Sequence, residues 1–205
     1  MIPCRQVCLI TDDEILNPNI PDLPSKKERA KATSELTSIE PPPDAAPRHI
    51  GGGRVRHKFF KYSKSPVEYR SVSELENHVN NVDLKTLHWM HRNHPGWDKE
   101  PKTVDLSTEK LICCYSDIYR HNFPVDKQGQ VWVVDFDHAG VLPASFMSFA
   151  LDLRFKDPLP PALRAALIPN VERTKNLRAM QKAFRIMQMA VDEFGLSIVP
   201  DYEPP

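Results

Sequence analysis

The spacing of apolar and polar positions divides the chain into stretches of different period. Leu177, Met180, Phe184, Met187, Val191 and Phe194 recur at intervals of three and four, which puts them on one stripe of a helix. Asn170 is the expected cap of that helix and Gly195 its end. Leu75, Val79, Val82, Leu87 and Met90 fall close to one face of a second helix. Ser73 and Glu76 predict a capping box in front of it, and Pro95-Gly96 a break behind it. Ser25 and Glu28 predict another capping box, opening a helix to Ile39 with a weak apolar face of Ala30, Ala32, Leu36 and Ile39. Pro143 starts a further helix reaching about Leu151. The period shortens between these helices. Thr108 opens a short helical turn into Leu111–Cys114, which reads as a buried strand. Phe123–Val125 and Val131–Val134 flank the turn sequence "DKQG" as a hairpin. Residues 1–24 show no helical period and read as an extended arm, with one short strand at Val7–Ile10. The expected class is α+β, mostly helical, with a small β-hairpin element.

Composition adds boundaries to this picture. The chain has 205 residues, enough for one domain with a core. Its 20 prolines are about twice the usual share. They cluster in "NPNIPDLP", "EPPPDAAP", "DPLPPAL" and "PDYEPP", and predict a proline-rich linker at about 40–50. The following "GGGRVRH" (Gly51–His57) lacks the GxxxxGK[ST] pattern and a following helix, so it reads as a connector with exposed arginines.

Lys+Arg and Asp+Glu both number 27, which leaves no electrostatic footprint for nucleic acid. No run approaches the roughly 20 apolar residues of a membrane helix, and no secretory signal opens the chain. Cys113 and Cys114 are adjacent in a strand and face opposite sides; Cys4 and Cys8 lack Cys-x-x-Cys spacing. These cysteines suit a reducing, intracellular and cytoplasmic setting. His88, His91 and His94 read as solvent-facing helix residues before zinc ligands.

The chemistry concentrates in "CCYSDIYRHNFPVDKQGQVWVVDFD", Cys113–Asp137. A strand delivers Asp117 to a loop, Asn122 leads into the hairpin, and the second hairpin strand delivers Asp135 near that loop. Asp and Asn also occur in turns and caps for local hydrogen-bonding reasons. An amide oxygen and carboxylates converging on one point suit magnesium, a hard cation that takes a carboxylate or two plus phosphate oxygens and water. The remaining aspartate can orient a hydroxyl and take its proton. Those are the parts of a kinase-type phosphoryl-transfer site.

The stretch continuing through "HAGVLPASF" resembles the catalytic segment of aminoglycoside phosphotransferase-like kinases, especially their fungal members. That family shows a histidine-glycine-aspartate start, an asparagine five residues on, a hairpin, an aspartate-aromatic-acid triplet, an alanine-glycine and a proline-led helix. Asp117, Asn122, Asp135-Phe136-Asp137, Ala139-Gly140 and Pro143 match this order, while Tyr115-Ser116 stands where the family has histidine-glycine. "PPPDAAPRHIGGGRVRHKFF" and "SPVEYRSVSELENHVN" extend the resemblance upstream. It implies a kinase-like C-lobe over residues 25–205, with residues 1–24 an arm or residual N-lobe segment and the N-lobe itself absent. It also implies Mg²⁺ and ATP as cofactors, Asp117 as catalytic base, and Asn122 and Asp135 as metal ligands. Asp137 and His121 are supporting candidates, His121 being open equally to a packing or surface role. No nucleotide-binding residue is picked out: residues 1–24 hold no glycine-rich loop, and no strand-borne lysine is evident.

Two functions follow. One is an ATP-dependent phosphotransferase acting on a small hydroxylated substrate, with little activity expected of this chain because a nucleotide-clamping lobe is missing. The other is a non-catalytic, pseudokinase-like module, binding a protein partner through apolar surface on the side an N-lobe would cover. Neither reading involves nucleic acid or a membrane.

Overall fold

The computed structural model describes residues 24–82, 103–153, 160, 162 and 176–188. Among them are α1 (Lys26–Thr37), β1 (Arg48–His49), α2 (Val72–Asn80), β2 (Leu111–Tyr115), β3 (Ala139–Pro143), α3 (Ala144–Asp152) and α4 (Leu177–Met187). The α+β expectation holds. No described helix is long and apolar enough to cross a membrane.

Helix α1 begins as its sequence dictates. Ser25 Oγ accepts from the Glu28 amide at 3.3 Å, and Glu28 returns the bond to the Ser25 amide at 2.8 Å, so two otherwise orphaned donors are satisfied. Its buried face is Arg29, Ala30, Thr33 and Leu36. Ile39 lies beyond the C-cap and is exposed, so the apolar face is shorter than its spacing suggested.

Helix α2 starts two residues before the predicted Ser73–Glu76 box. Ser71 accepts from the Glu74 amide at 3.2 Å, and Glu74 accepts from Arg70. Glu76 is employed elsewhere: its carboxylate receives the Leu106 and Ser107 amides at 2.7 and 2.9 Å and fixes the turn that feeds β2. Leu75 and Val79 face the core from α2.

The sheet departs most from expectation. Its order is β1-β3-β2, so the central strand is Ala139–Pro143, a segment read as the approach to a helix. Both pairings are antiparallel, with Cys114 and His49 each opposite Gly140. A Cβ at Gly140 would stand 2.5 Å from the Arg48 carbonyl oxygen; only glycine lets β1 approach this closely. The end of the proline-rich segment is therefore part of the sheet, not only a linker. Helices α1 and α3 both pack on β2. With both faces covered, Cys113 and Cys114 are both buried although they point opposite ways.

Between the strands the predicted hairpin forms with sparse pairing. Val125 bridges Val131, Trp132 N donates to Pro124 O at 2.9 Å, and Val134 N to Asn122 O at 3.0 Å. Asp126 organises the turn, its Oδ1 accepting from the Gln128 and Gln130 amides and its Oδ2 from the Trp132 indole. Pro143 caps α3, whose residues 144–151 are all buried. Helix α4 buries Ala179, Met180, Ile186 and Met187 against α3 and α2, with Leu177 and Phe184 partly buried at its edge.

The Gly51–His57 connector is firmer than its glycines suggest. Val55 and His57 have no exposure at all, and Val55 O accepts from Ser65 N at 2.8 Å. The Val7–Ile10 strand, Cys4, Cys8, the three spaced histidines, Leu87, Met90, Asn170, Val191, Phe194 and Gly195 lie outside the described residues.

Candidate active site

Strand β2 ends at buried Tyr115, buried Ser116 follows it, and the chain then turns outward at Asp117. Two bonds hold this exit: Ser116 N donates to His138 O at 3.0 Å, and Ser116 Oγ accepts from Lys58 N at 3.2 Å. The loop closes through a short 3₁₀ turn at Arg120–Asn122, anchored by fully buried Phe123. Asn122 then reaches back, its Nδ2 donating to the Asp117 carbonyl at 3.1 Å. This bond uses one of the two Nδ2 hydrogens and leaves the amide oxygen as an acceptor.

The hairpin returns the chain to the same place. Val134 N bonds Asn122 O at 3.0 Å, and the Tyr115 hydroxyl donates to Val134 O at 2.9 Å. Asp135 follows in left-handed backbone, φ 57° and ψ 70°. A non-glycine residue there costs of order 1–2 kcal/mol, so the surrounding structure enforces it. The Asp135 side chain caps the next turn, accepting from Asp137 N at 3.4 Å.

Tyr115 senses the charge of the loop and hairpin beside it. Its phenol is held far above the ordinary tyrosine value, chiefly by burial and then by the negative charge of Asp117; Asp135 pushes the same way, and hydrogen bonding with the Asn122 side chain opposes them. The charges of Asp117 and Asp135 and the Asn122 side chain thus all bear on one buried hydroxyl. Asp137 sits at the rim, paired with Arg56 at 3.0 Å; an exposed pair of this kind contributes about 0.2–1 kcal/mol. His121 is exposed and lies against the Tyr119 ring, centroids 4.9 Å apart.

Several participants had not been singled out. Lys58 Nζ lies 2.5 Å from Asp117 Oδ1, both side chains being roughly three-quarters buried. Just before it in the chain, Arg56 meets Asp137 and His57 is wholly buried, its Nδ1 accepting from Phe59 N at 3.0 Å. Burial, more than the nearby charges of His138 and Lys58, drives His57 down to about 3; the Phe146 backbone acts the other way, although His57 Nε2 has no partner at hydrogen-bonding geometry among the described residues. His138 is also lowered by burial, against the pull of Asp117. A signal for Lys58 exists in "VRHKF": Val55, His57 and Phe59 are buried while Arg56 and Lys58 are only partly so, an alternation of period two.

Asn122 and Asp135 supply two hard oxygen donors, a set that suits magnesium when phosphate oxygens and water complete the shell. Asp117 is already engaged by Lys58. No group of three or more His, Cys, Asp or Glu side chains able to hold a metal occurs among the described residues, so a shell made of such side chains alone is not available here. No protein-family model matches the chain, and no curated protein matches it.

Proposed function

We propose that the chain carries a kinase-type phosphotransfer site acting on a hydroxylated small molecule. The observation that carries this reading is the bond from Asn122 back to Asp117, with the hairpin bringing Asp135 beside the loop so closed. Asp117 would orient the acceptor hydroxyl and take its proton. The hydroxyl oxygen would attack the γ-phosphorus of ATP, and the bond to the β-phosphate oxygen would break with its electron pair leaving on ADP. Asn122 and Asp135 would hold Mg²⁺, which when bound neutralises charge on the phosphate oxygens. Lys58, beside Asp117, would counter negative charge at the point of transfer. Most catalysis in such chemistry comes from positioning and electrostatics, and a chain-closing bond of the Asn122 kind is a positioning device.

A second reading, a non-catalytic binding module of pseudokinase type, draws on the same Lys58–Asp117 pair, because an ammonium at 2.5 Å occupies the base. Turnover with Mg·ATP and a panel of hydroxylated acceptors separates the two. Phosphotransfer that Asp117→Asn lowers by about 10²–10⁴-fold, the usual share of a general base, supports the enzyme. Ligand binding with no turnover, unchanged by Asp117→Asn, supports the module.

A further inference from the structure

His49 uses both of its ring nitrogens on backbone. Gly51 N donates to Nδ1 at 3.1 Å. An amide N–H can only donate, so the ring hydrogen stands on Nε2, which donates to Phe136 O at 3.2 Å. This second bond spans 87 residues and ends inside the Asp135-Phe136-Asp137 triplet. Two glycines admit it. Gly140 lets β1 lie against β3, with His49 opposite it. A Cβ at Gly51 would stand 3.2 Å from His49 Nδ1 and 3.3 Å from Cε1, so a side chain there would push the ring from its place.

The triplet needs to be held. Asp135 is exposed as well as left-handed, so packing of its own side chain does not enforce its backbone. Its neighbours are bonded instead. Before it, Val134 N bonds Asn122 O and Val134 O accepts from the Tyr115 hydroxyl. After it, Phe136 O accepts from Ala139 N within the turn and from His49 across the fold. The bond from Asp137 N to Asp135 Oδ1 is long, at 3.4 Å. Arg56 and Ser116 also reach this region, but at Asp137 and His138, further along the chain from Asp135.

We propose that His49 is a positioning residue: through Phe136 O it fixes the turn that sets the Asp135 carboxylate. What that carboxylate does for Mg²⁺ rests on the phosphotransfer reading, whereas the hold on the turn stands on the two bonds of the ring. His49 itself touches neither substrate nor metal. A ring that only seated β1 would act through Gly51 and the strand, and would leave the turn no looser than the strand when it is replaced. The two nitrogens therefore have separable consequences.

Asparagine and glutamine separate them. His49→Asn keeps an acceptor near Nδ1 for Gly51 N and loses the reach to Phe136; His49→Gln keeps a donor near Nε2. Amide exchange on the full chain reads the turn at Ala139, whose N–H bonds Phe136 O, and the strand at Ile50, whose N–H bonds Ala139 O. In His49→Asn exchange should quicken about fivefold at Ala139, the factor one lost hydrogen bond gives, and by less at Ile50. His49→Gln should bring Ala139 back towards the parent rate. Mn²⁺ alone, titrated by electron paramagnetic resonance, should bind about fivefold more weakly to His49→Asn than to the parent chain or His49→Gln. Quickening at Ile50 as large as at Ala139, His49→Gln as quick as His49→Asn, or Mn²⁺ affinity indifferent to His49→Asn would each overturn the proposal. The expected exchange pattern in a parent chain that takes up no Mn²⁺ would uphold the hold on the turn and overturn only the metal assignment of the phosphotransfer reading.

Discussion

The Asn122 side chain donates to the Asp117 backbone carbonyl across five residues, at 3.1 Å, so the loop presenting Asp117 is closed by its own sequence. Asn122→Ala removes that closure. A partly buried hydrogen bond of this kind contributes about 1 kcal/mol, and urea denaturation should show a loss of that size. Asn122→Asp should cost more, because it sets a carboxylate against a carbonyl and beside Asp117. Equal stability of the two variants would show that the closure lies elsewhere.

Acid should destabilise the fold through His57. Its ordinary value is 6.5 and its folded value about 3. A lowered folded value means that the unfolded chain takes up the proton first. The contribution of His57 is therefore complete above about pH 6.5 and is lost as pH falls from there towards 3, at about 1.4 kcal/mol per pH unit. His138, also lowered, acts in the same direction. Denaturation midpoints between pH 7 and 4 should fall accordingly. His57→Asn keeps an acceptor for Phe59 N and should flatten the slope; an unchanged slope would remove His57 from the account.

Glu109 ties three segments together. It receives Ser145 N at 2.8 Å and Ser145 Oγ at the start of α3, and Asn176 Nδ2 at 2.7 Å in front of α4. Asn176 meanwhile bonds both the amide and the carbonyl of Asp105. Glu109→Ala leaves a buried hydroxyl and amide short of partners, and a loss of about 2–3 kcal/mol is expected from thermal or chemical unfolding. Glu109→Gln retains the shape and should lose less.

Gly140→Ala tests the sheet directly. The added methyl meets the Arg48 carbonyl at 2.5 Å, which is backbone and yields only by moving β1. A loss of about 1–3 kcal/mol follows from overpacking. Amide exchange should quicken at Ile50, whose N–H bonds Ala139 O, before it quickens in β2, whose ladder lies on the other side of β3.

The loop and hairpin that carry Asp117, Asn122 and Asp135 were legible because their relation is local, written in the spacing of one strand, one turn and one hairpin. Lys58 was not, since its partner lies 59 residues away and glycines made its segment look loose. Strand β1 carries no signal of its own; its two residues are a strand only because Gly140 admits them. Strand β3 was hidden between an acidic turn and a proline that starts a helix. The α2 cap was misplaced because Ser71 and Ser73 each stand three residues before a glutamate, and only the need for Glu76 at the Leu106–Ser107 turn decides between them.

Burial of β2 on both faces turns its adjacent thiols into a clock. Desolvation raises the Cys114 thiol well above its ordinary value, and alkylating reagents attack the thiolate. Modification at Cys113 and Cys114 must therefore await an opening that lifts a helix from the sheet. The rate of labelling at those two positions measures how often the strand that delivers Asp117 comes free, and its slowing by a ligand measures how firmly that ligand holds the strand in place.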